Sequence, residues 1–460
     1  LATMFGTSGI RGEVGEDVTA DVALSVGRAL ASTGHGRVVI GRDTRESGEM
    51  LMDALSAGLR ECGADVIHLG TASTPTVARS VGWLDADAGV VVTASHNPPK
   101  DNGLKLWNPS GQAFDGKQRD AIARRIEDGS YSLVSADEVG SATEWAEGAD
   151  RHVAALRETT GSLDGLEAVV DVGNGAGRIT ATALVELGCS VTTLNAEPDG
   201  RFPGRPSEPT AETCAGLCEV VANTDADFGV AHDGDADRMM AVTASGEFVP
   251  GDQLLALFGR DAVEPGERVA APLNTSLAVD DALGEVDASV VRTKVGDVFV
   301  AERVADEDVA FGGEPSGAWI WSEETLCPDG PLAACRLAEL VRDHGPLDEQ
   351  VEGVGGYTTR RESYPTDDKE DTVDRVHRRA MAEYDAVDVS DGVRVDLDDG
   401  WFLVRASGTQ PLVRVTAEAR TDRRAEELFE RAEELLAEAR DGGTAGSDDG
   451  TAIAGNRSTD

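Results

Sequence analysis

Ser95 lies in Thr93-Ala94-Ser95-His96-Asn97-Pro98, immediately after the apolar run Val90–Val92. A serine hydroxyl is a weak nucleophile, but it can carry a phosphoryl group if a cation stands beside its phosphate and a proton-handling group stands opposite. His96 and Lys105 are near enough in sequence to share its pocket. Taken alone, Ser-His-Asn-Pro reads as readily as an ordinary turn, so the assignment depends on its company.

That company is His232-Asp233-Gly234-Asp235-Ala236-Asp237-Arg238. Alternate aspartates after a strand can aim three carboxylate oxygens at one hard cation, and Mg²⁺ takes a few protein carboxylates plus phosphate or water oxygens. A calcium loop fails on spacing: with Asp233 first, Arg238 falls where glycine belongs and Ala244 where glutamate belongs. A solvated acidic face is the competing reading in a chain this rich in acid. The apolar strand just before the aspartates and the arginine that closes them favour a metal site.

Two further segments could grip a sugar phosphate. Gly312-Gly313-Glu314-Pro315-Ser316-Gly317 offers a carboxylate and a hydroxyl for sugar hydroxyls, although by itself it is a turn. Arg405-Ala406-Ser407-Gly408-Thr409-Gln410, with Arg414, joins two guanidinium groups, two hydroxyls and a glycine that bares backbone N–H groups, the equipment a phosphate dianion needs. Gly173–Gly177 lacks the P-loop ending and the dinucleotide fingerprint, so it reads as a structural turn.

The elements that must position these loops alternate Val- and Ile-rich runs with helical periodicity, the pattern of stacked α/β units. Strands are expected at 37–40, 66–69, 90–92 and 228–232, with helices at 50–59 and 180–187. Proline and Asn102-Gly103 are expected to keep the segment after Val92 in a loop. At the C-terminal end, strands at 393–397, 401–404 and 413–417 precede a helix whose Leu428, Phe429, Ala432, Leu435 and Leu436 form a buried stripe. The chain divides on this reading into segments 1–150, 151–250, 251–365 and 366–440, with a disordered tail at 441–460.

The chain has 460 residues and a formal net charge of -44. Nucleic acid and anionic membranes are therefore excluded as partners. Lysine occurs only at Lys100, Lys105, Lys117, Lys294 and Lys369, and the acid excess is spread along the whole chain. A distributed excess suits concentrated salt, where the Debye length falls to roughly 3 Å at 1 M and self-repulsion is screened, so halophilic adaptation is expected. No run approaches the roughly eighteen apolar residues of a membrane span, and a soluble, cytoplasmic protein, monomer or homodimer, is expected. The six scattered cysteines read as reduced thiols.

Taken in order, FGTSGIRG at Phe5, GRDTRESGEM at Gly41, TASHNP at Thr93, DGDADR at Asp233, GEPSG at Gly313 and RASGTQPLVRV at Arg405 resemble the α-D-phosphohexomutase family. The resemblance runs from the N-terminus to about residue 440 and is closest to archaeal-type phosphoglucosamine mutases. It implies four domains around a cleft, three related α/β units with mixed sheets and a smaller C-terminal α+β lid. By matching position, Ser95 is the expected phosphoserine, and Asp233, Asp235 and Asp237 the ligands of one Mg²⁺ completed by its phosphate. Arg11 and Lys105 match basic positions beside the serine; Glu314 and Ser316 match the sugar loop; Arg238 and Lys294 match auxiliary contacts. Arg405, Ser407, Gly408, Thr409 and Arg414 match the loop that holds the phosphate not being transferred. The implied reaction moves a phosphoryl group between O6 and O1 of a hexose phosphate through a hexose 1,6-bisphosphate. Glucosamine 6-phosphate is the expected substrate, with mannose and glucose phosphates as rivals, because Ala318 stands where many members have His. A hydrolase using Ser95 and a non-catalytic sugar-phosphate sensor are the remoter alternatives.

Overall fold

The computed structural model describes residues 5–6, 9–408 and 411–441. Thr7, Ser8, Thr409, Gln410 and the tail from 442 onward lie outside the described residues. Two compact units are present, Leu1–Gly355 and Gly356–Asp460.

The first unit holds three sheets. The first sheet comprises β1 (Phe5–Gly6), β2 (Gly9–Glu13), β3 (Arg37–Arg42), β4 (Asp65–Thr71), β5 (Ala88–Val92), β6 (Asp101–Trp107) and β7 (Ala142–Glu144), in the order β1-β2-β6-β5-β3-β4-β7. Its β5-β3-β4-β7 half is parallel, while β6 returns antiparallel along β5. Both faces of the parallel part are covered, so the Val-rich runs at 38–40 and 90–92 are buried throughout.

The second and third sheets repeat one plan. β8 (Glu167–Asp171), β9 (Ser190–Leu194), β10 (Phe228–His232) and β11 (Met239–Thr243) lie in the order β11-β10-β8-β9. β12 (Arg268–Pro272), β13 (Ser289–Thr293), β14 (Val309–Glu314) and β15 (Ala318–Trp321) lie in the order β13-β12-β14-β15. In each, three parallel strands are closed at one edge by an antiparallel return.

The second unit is an antiparallel sheet of β16 (Thr358–Pro365), β17 (Val387–Asp388), β18 (Val393–Leu397), β19 (Gly400–Ala406) and β20 (Leu412–Ala419), in the order β16-β20-β19-β18-β17. Helices Lys369–Glu383 and Asp422–Asp441 pack on one side of it. The expected stripe of Leu428, Phe429, Ala432, Leu435 and Leu436 forms that core together with Phe402, Val404 and Val415.

Two expectations need correction. The strand Thr358–Pro365, read with the third segment, is paired along its whole length with β20 and belongs to the second unit, which begins at Gly356. Asn102-Gly103 does not make a loop: both residues lie inside β6. Gly103 pairs with Arg11 of β2, and a Cβ there would come within 2.1 Å of the Ile10 carbonyl. Its glycine serves close strand approach, a recognised use of glycine inside a strand.

Each candidate loop joins an inner strand to its antiparallel neighbour. The serine loop joins β5 to β6, the aspartate loop β10 to β11, the Glu314 loop β14 to β15, and the Arg405 loop β19 to β20. In the first three, the loop leaves the carboxyl end of a parallel strand, where ligands of open α/β sheets are bound.

Candidate active site

The serine loop is shaped by an arginine far away in sequence. Arg45 is fully buried and donates to four backbone carbonyls: Ser95 at 2.9 Å, Asn97 at 2.7 Å, Pro98 at 2.6 Å and Asp101 at 2.9 Å. Its Nε pairs with Asp43 at 3.0 Å. Asp43 also accepts from Thr93 Oγ1 at 2.7 Å, and Thr93 in turn accepts from the Ser95 amide at 2.9 Å. Within this clasp Ser95 adopts a φ of 53°, a left-handed conformation that a non-glycine residue keeps only when its surroundings impose it.

The aspartate loop is held in a comparable way. Arg205 bonds Asp171 at 2.6 Å and the His232 carbonyl at 2.6 Å, while His232 contacts the Arg238 carbonyl at 2.8 Å and Thr180 Oγ1 at 2.8 Å. Ala236 in the middle of the loop has a φ of 55°. Gly173–Gly177 is the turn that buttresses this loop: the Ala176 amide donates to the Gly234 carbonyl at 3.0 Å.

The two loops meet. Ser95 Oγ donates to Asp233 Oδ2 at 2.6 Å, joining residues 138 positions apart. A Cβ at Gly234 would stand 2.7 Å from the Ser95 carbonyl, so only glycine lets the backbones come this close. Lys105, on β6 opposite Val91, reaches Asp235 Oδ2 at 2.9 Å and also bonds Asp237 Oδ2.

One oxygen from each of Asp233, Asp235 and Asp237 lies within 4.8 Å of the others, and all three residues are buried. Burial and mutual repulsion push Asp233 and Asp237 above the ordinary carboxylate range. Burial opposes charge on Asp235 too, but Lys105 and the Thr74 hydroxyl outweigh it and hold its pKa low. Asp235 Oδ1 is buried and makes no hydrogen bond among the described residues. Carboxylates that repel one another, with one buried oxygen unsatisfied, are what a divalent cation would relieve, so the residues fit a hard metal ion of the Mg²⁺ kind.

The neighbouring groups are basic. Burial disfavours the Lys105 ammonium, yet Asp235 and Asp237 overcome this and raise its pKa. Arg11 lies close enough to lower the pKa of both Lys105 and His96, and its Nε is buried with no hydrogen-bond partner among the described residues. His96 Nδ1 is 3.2 Å from Ser95 Oγ. Burial, then Arg238, Arg11 and Lys105, lower its pKa to about 2, so the imidazole is neutral.

The Glu314 loop joins the same group. The Met239 amide donates to the Gly317 carbonyl at 2.9 Å, and Arg238 bridges Ala318, so the end of the aspartate loop is zipped to this hairpin. Glu314 Oε1 accepts from the Gly296 amide at 2.8 Å, and Ser316 Oγ lies 3.4 Å from Oε2. Burial and the charge of Asp297 raise Glu314 to about 7, although Arg238 acts against them. Lys294 is exposed, with its ammonium 5.6 Å from the Phe299 ring centroid.

In the second unit, Arg405 and Arg414 are direct cross-strand partners. Ser407 between them is buried, Gly408 is exposed, and Lys369 donates to the Ser407 carbonyl at 2.6 Å. Thr409 lies outside the described residues.

The family described as "Phosphoglucomutase/phosphomannomutase" matches in four parts: alpha/beta/alpha domain I at residues 2–132, domain II at 150–246, domain III at 250–356 and the C-terminal domain at 365–435. A protein of Methanopyrus kandleri described as "Probable phosphoglucosamine mutase" is 45% identical over 437 residues, covering 93% of this chain and 96% of the relative. The chain belongs to the phosphoglucomutase/phosphomannomutase family, the α-D-phosphohexomutases. A relative of the same description from Methanothermobacter thermautotrophicus is also 45% identical, with the same coverage. Among solved structures, a phosphoglucomutase/phosphomannomutase family protein of Burkholderia thailandensis superposes with a TM-score of 0.85 at 30% identity, covering 96% of this chain and 98% of its own. The protein is thus a phosphohexomutase, an intramolecular phosphotransferase of mixed α/β sheets plus a C-terminal domain. Among the described residues no helix is long and apolar enough to cross a membrane.

Four residues of this phosphohexomutase escaped the sequence reading: Arg45, Thr74, Arg205 and Asp297. Arg45 stands inside a segment noted only for its family likeness. Ser73-Thr74-Pro75 carries a helix-start signature that says nothing of the aspartate loop it touches.

Proposed function

We propose that this phosphohexomutase carries its phosphoryl group on Ser95 and interconverts glucosamine 6-phosphate and glucosamine 1-phosphate. The observation that carries the reading is the 2.6 Å contact of Ser95 Oγ with Asp233, inside a cluster of three buried aspartates. In the forward step the P–Oγ bond of phospho-Ser95 breaks and a P–O bond forms to the free hydroxyl of the substrate. That hydroxyl's proton ends on Ser95 Oγ, the leaving oxygen; the Lys105 ammonium and the Arg11 guanidinium, both already protonated, assist its passage as charged hydrogen-bond donors beside the serine, while His96, held to about 2, is too weak a base to take it and stays neutral 3.2 Å from Ser95 Oγ. The hexose 1,6-bisphosphate so formed turns over and returns its other phosphate to Ser95 Oγ, regenerating the phosphoserine.

Asp233, Asp235 and Asp237 would hold one Mg²⁺ together with a phosphate oxygen. When bound, the ion neutralises charge developing on the transferring group. Glu314 and Ser316, with Arg238, hold sugar hydroxyls; Lys294 is an auxiliary contact. Arg405, Ser407, Gly408, Thr409 and Arg414 hold the phosphate that stays on the sugar. Domain boundaries near 150, 250 and 356 complete the assignment. The names of the archaeal relatives support glucosamine phosphate over mannose or glucose phosphates.

The deciding experiment has two parts. Ser95→Ala removes the carrier and is expected to lower kcat by at least about 10³-fold, with sugar-phosphate affinity retained; a variant that still turns over would end the covalent reading. Wild-type kcat/KM for glucosamine, mannose and glucose 6-phosphates, each with its 1,6-bisphosphate as activator, decides the sugar. A preference for mannose or glucose phosphate would overturn the substrate and leave the chemistry standing.

A further inference from the structure

Thr74 touches the aspartate loop twice. Its hydroxyl donates to Asp235 Oδ2 at 2.5 Å, and its backbone N–H donates to the Asp235 carbonyl at 2.9 Å. The two bonds fix both the backbone and the carboxylate of Asp235. Lys105 also bonds Oδ2, which leaves Oδ1 as the oxygen without a hydrogen bond among the described residues.

Thr74 is itself held rigidly. It is the first residue of the helix Thr74–Trp83, whose N-cap Ser73 accepts from the Thr76 amide at 3.3 Å and whose second residue, Pro75, is pre-set for a first helical turn. From there a buried polar chain runs outward. Ser73 Oγ is 2.7 Å from Thr76 Oγ1, which is 2.9 Å from His152 Nδ1; His152 Nε2 is 3.0 Å from Asp329 Oδ2. Asp329 also accepts from Arg79 at 2.7 Å and caps the helix Gly330–His344 through the Leu332 amide at 3.0 Å. Thr74, Thr76, His152 and Asp329 are all buried. A threonine needed only to start a helix would not require a second bond to a loop 161 residues away.

We infer that Thr74 is a positioning residue: it ties down Asp235 Oδ2 so that Oδ1 is presented to the divalent cation. The inference rests on the magnesium reading above and adds to it the group that sets one ligand's orientation. Partners of this kind beyond the ligands themselves govern metal affinity, and their loss typically costs about 10- to 100-fold.

The test uses Mn²⁺ as a paramagnetic probe, its binding to the full chain followed by electron paramagnetic resonance. Thr74→Val keeps the shape and removes the hydroxyl, Thr74→Ala removes it without a branched side chain, and Thr74→Ser restores it. The Mn²⁺ dissociation constant is expected to rise about tenfold or more in the Val and Ala variants and to return to the wild-type value in the Ser variant. Melting in chelator checks that each variant is folded. Unchanged Mn²⁺ affinity in a folded Val or Ala variant overturns the inference, as does a loss that serine fails to restore. If the wild type binds Mn²⁺ and every variant binds equally, this inference alone falls; if the wild type takes up none, the magnesium reading falls with it.

Discussion

Arg405 and Arg414 stand directly opposite each other on β19 and β20, so two guanidinium groups share one face of the C-terminal sheet. Like charges at directly opposed positions destabilise a strand pair. Asp391 pairs with Arg405 at 2.8 Å, and Arg414 is exposed. A phosphate dianion between them would supply counter-charge to both. Arg414→Gln is therefore expected to raise KM for the sugar phosphate about tenfold, the ~1.4 kcal/mol of one charge-assisted hydrogen bond, with an unchanged or slightly higher melting temperature. An unaltered KM would remove Arg414 from the phosphate clamp.

Arg45 carries more of the serine loop than any residue within it. Arg45→Met would strand four carbonyls and leave the buried Asp43 without its cation, for an expected loss of about 3–5 kcal/mol in urea unfolding. Activity should fall further than the folded fraction does, because the left-handed φ of Ser95 depends on that clasp. A variant that unfolds at the wild-type urea concentration would mean the clasp is idle.

His232 predicts a loss of stability in acid. Burial chiefly, with Arg205 alongside it, lowers its pKa to about 4, against an ordinary value of 6.5. Between these values the unfolded chain binds a proton that the folded chain does not. The stability contributed is complete above about 6.5 and is lost as pH falls toward 4, on the order of 3 kcal/mol in all. In His232→Gln this part of the slope should vanish, so that the difference in unfolding free energy between wild type and variant narrows from pH 7 to pH 4. A constant difference across that range would contradict the assignment.

The charge of -44 makes a prediction about salt. Raising KCl from about 0.1 M to about 1 M shortens the Debye length from roughly 10 Å to roughly 3 Å and screens self-repulsion across the acidic surface. The melting temperature and kcat are expected to rise together over this range. A flat or falling melting temperature would refute halophilic adaptation.

The candidate loops were legible in position because each places a short run of unusual residues after a strand: Ser95 after Val92, Asp233 after His232, Glu314 at the end of β14. What the sequence hid was tertiary. Nothing near Thr74 announces a bond to Asp235, and nothing near Arg45 announces four carbonyls fifty or more positions away. Local rules also failed where packing overrode them. Asn102-Gly103 looks like a turn, but β2 crowds it into a strand. Thr358–Pro365 is mostly exposed, with Arg360, Arg361 and Glu362 at its centre, and its place in the last sheet is set by pairing with β20 and not by an apolar pattern of its own.

The repeated hairpin has an evolutionary consequence. If one βαβ unit with an antiparallel return was copied to make the first three sheets, every copy inherited a bend at the same place, free to diverge without endangering the scaffold. On the proposed assignment, one copy became a carrier, the second a cation holder and the third a reader of sugar. A lineage facing a new hexose therefore needs to rewrite only the third bend, and the machinery that breaks the phosphorus–oxygen bond can pass unchanged to its descendants.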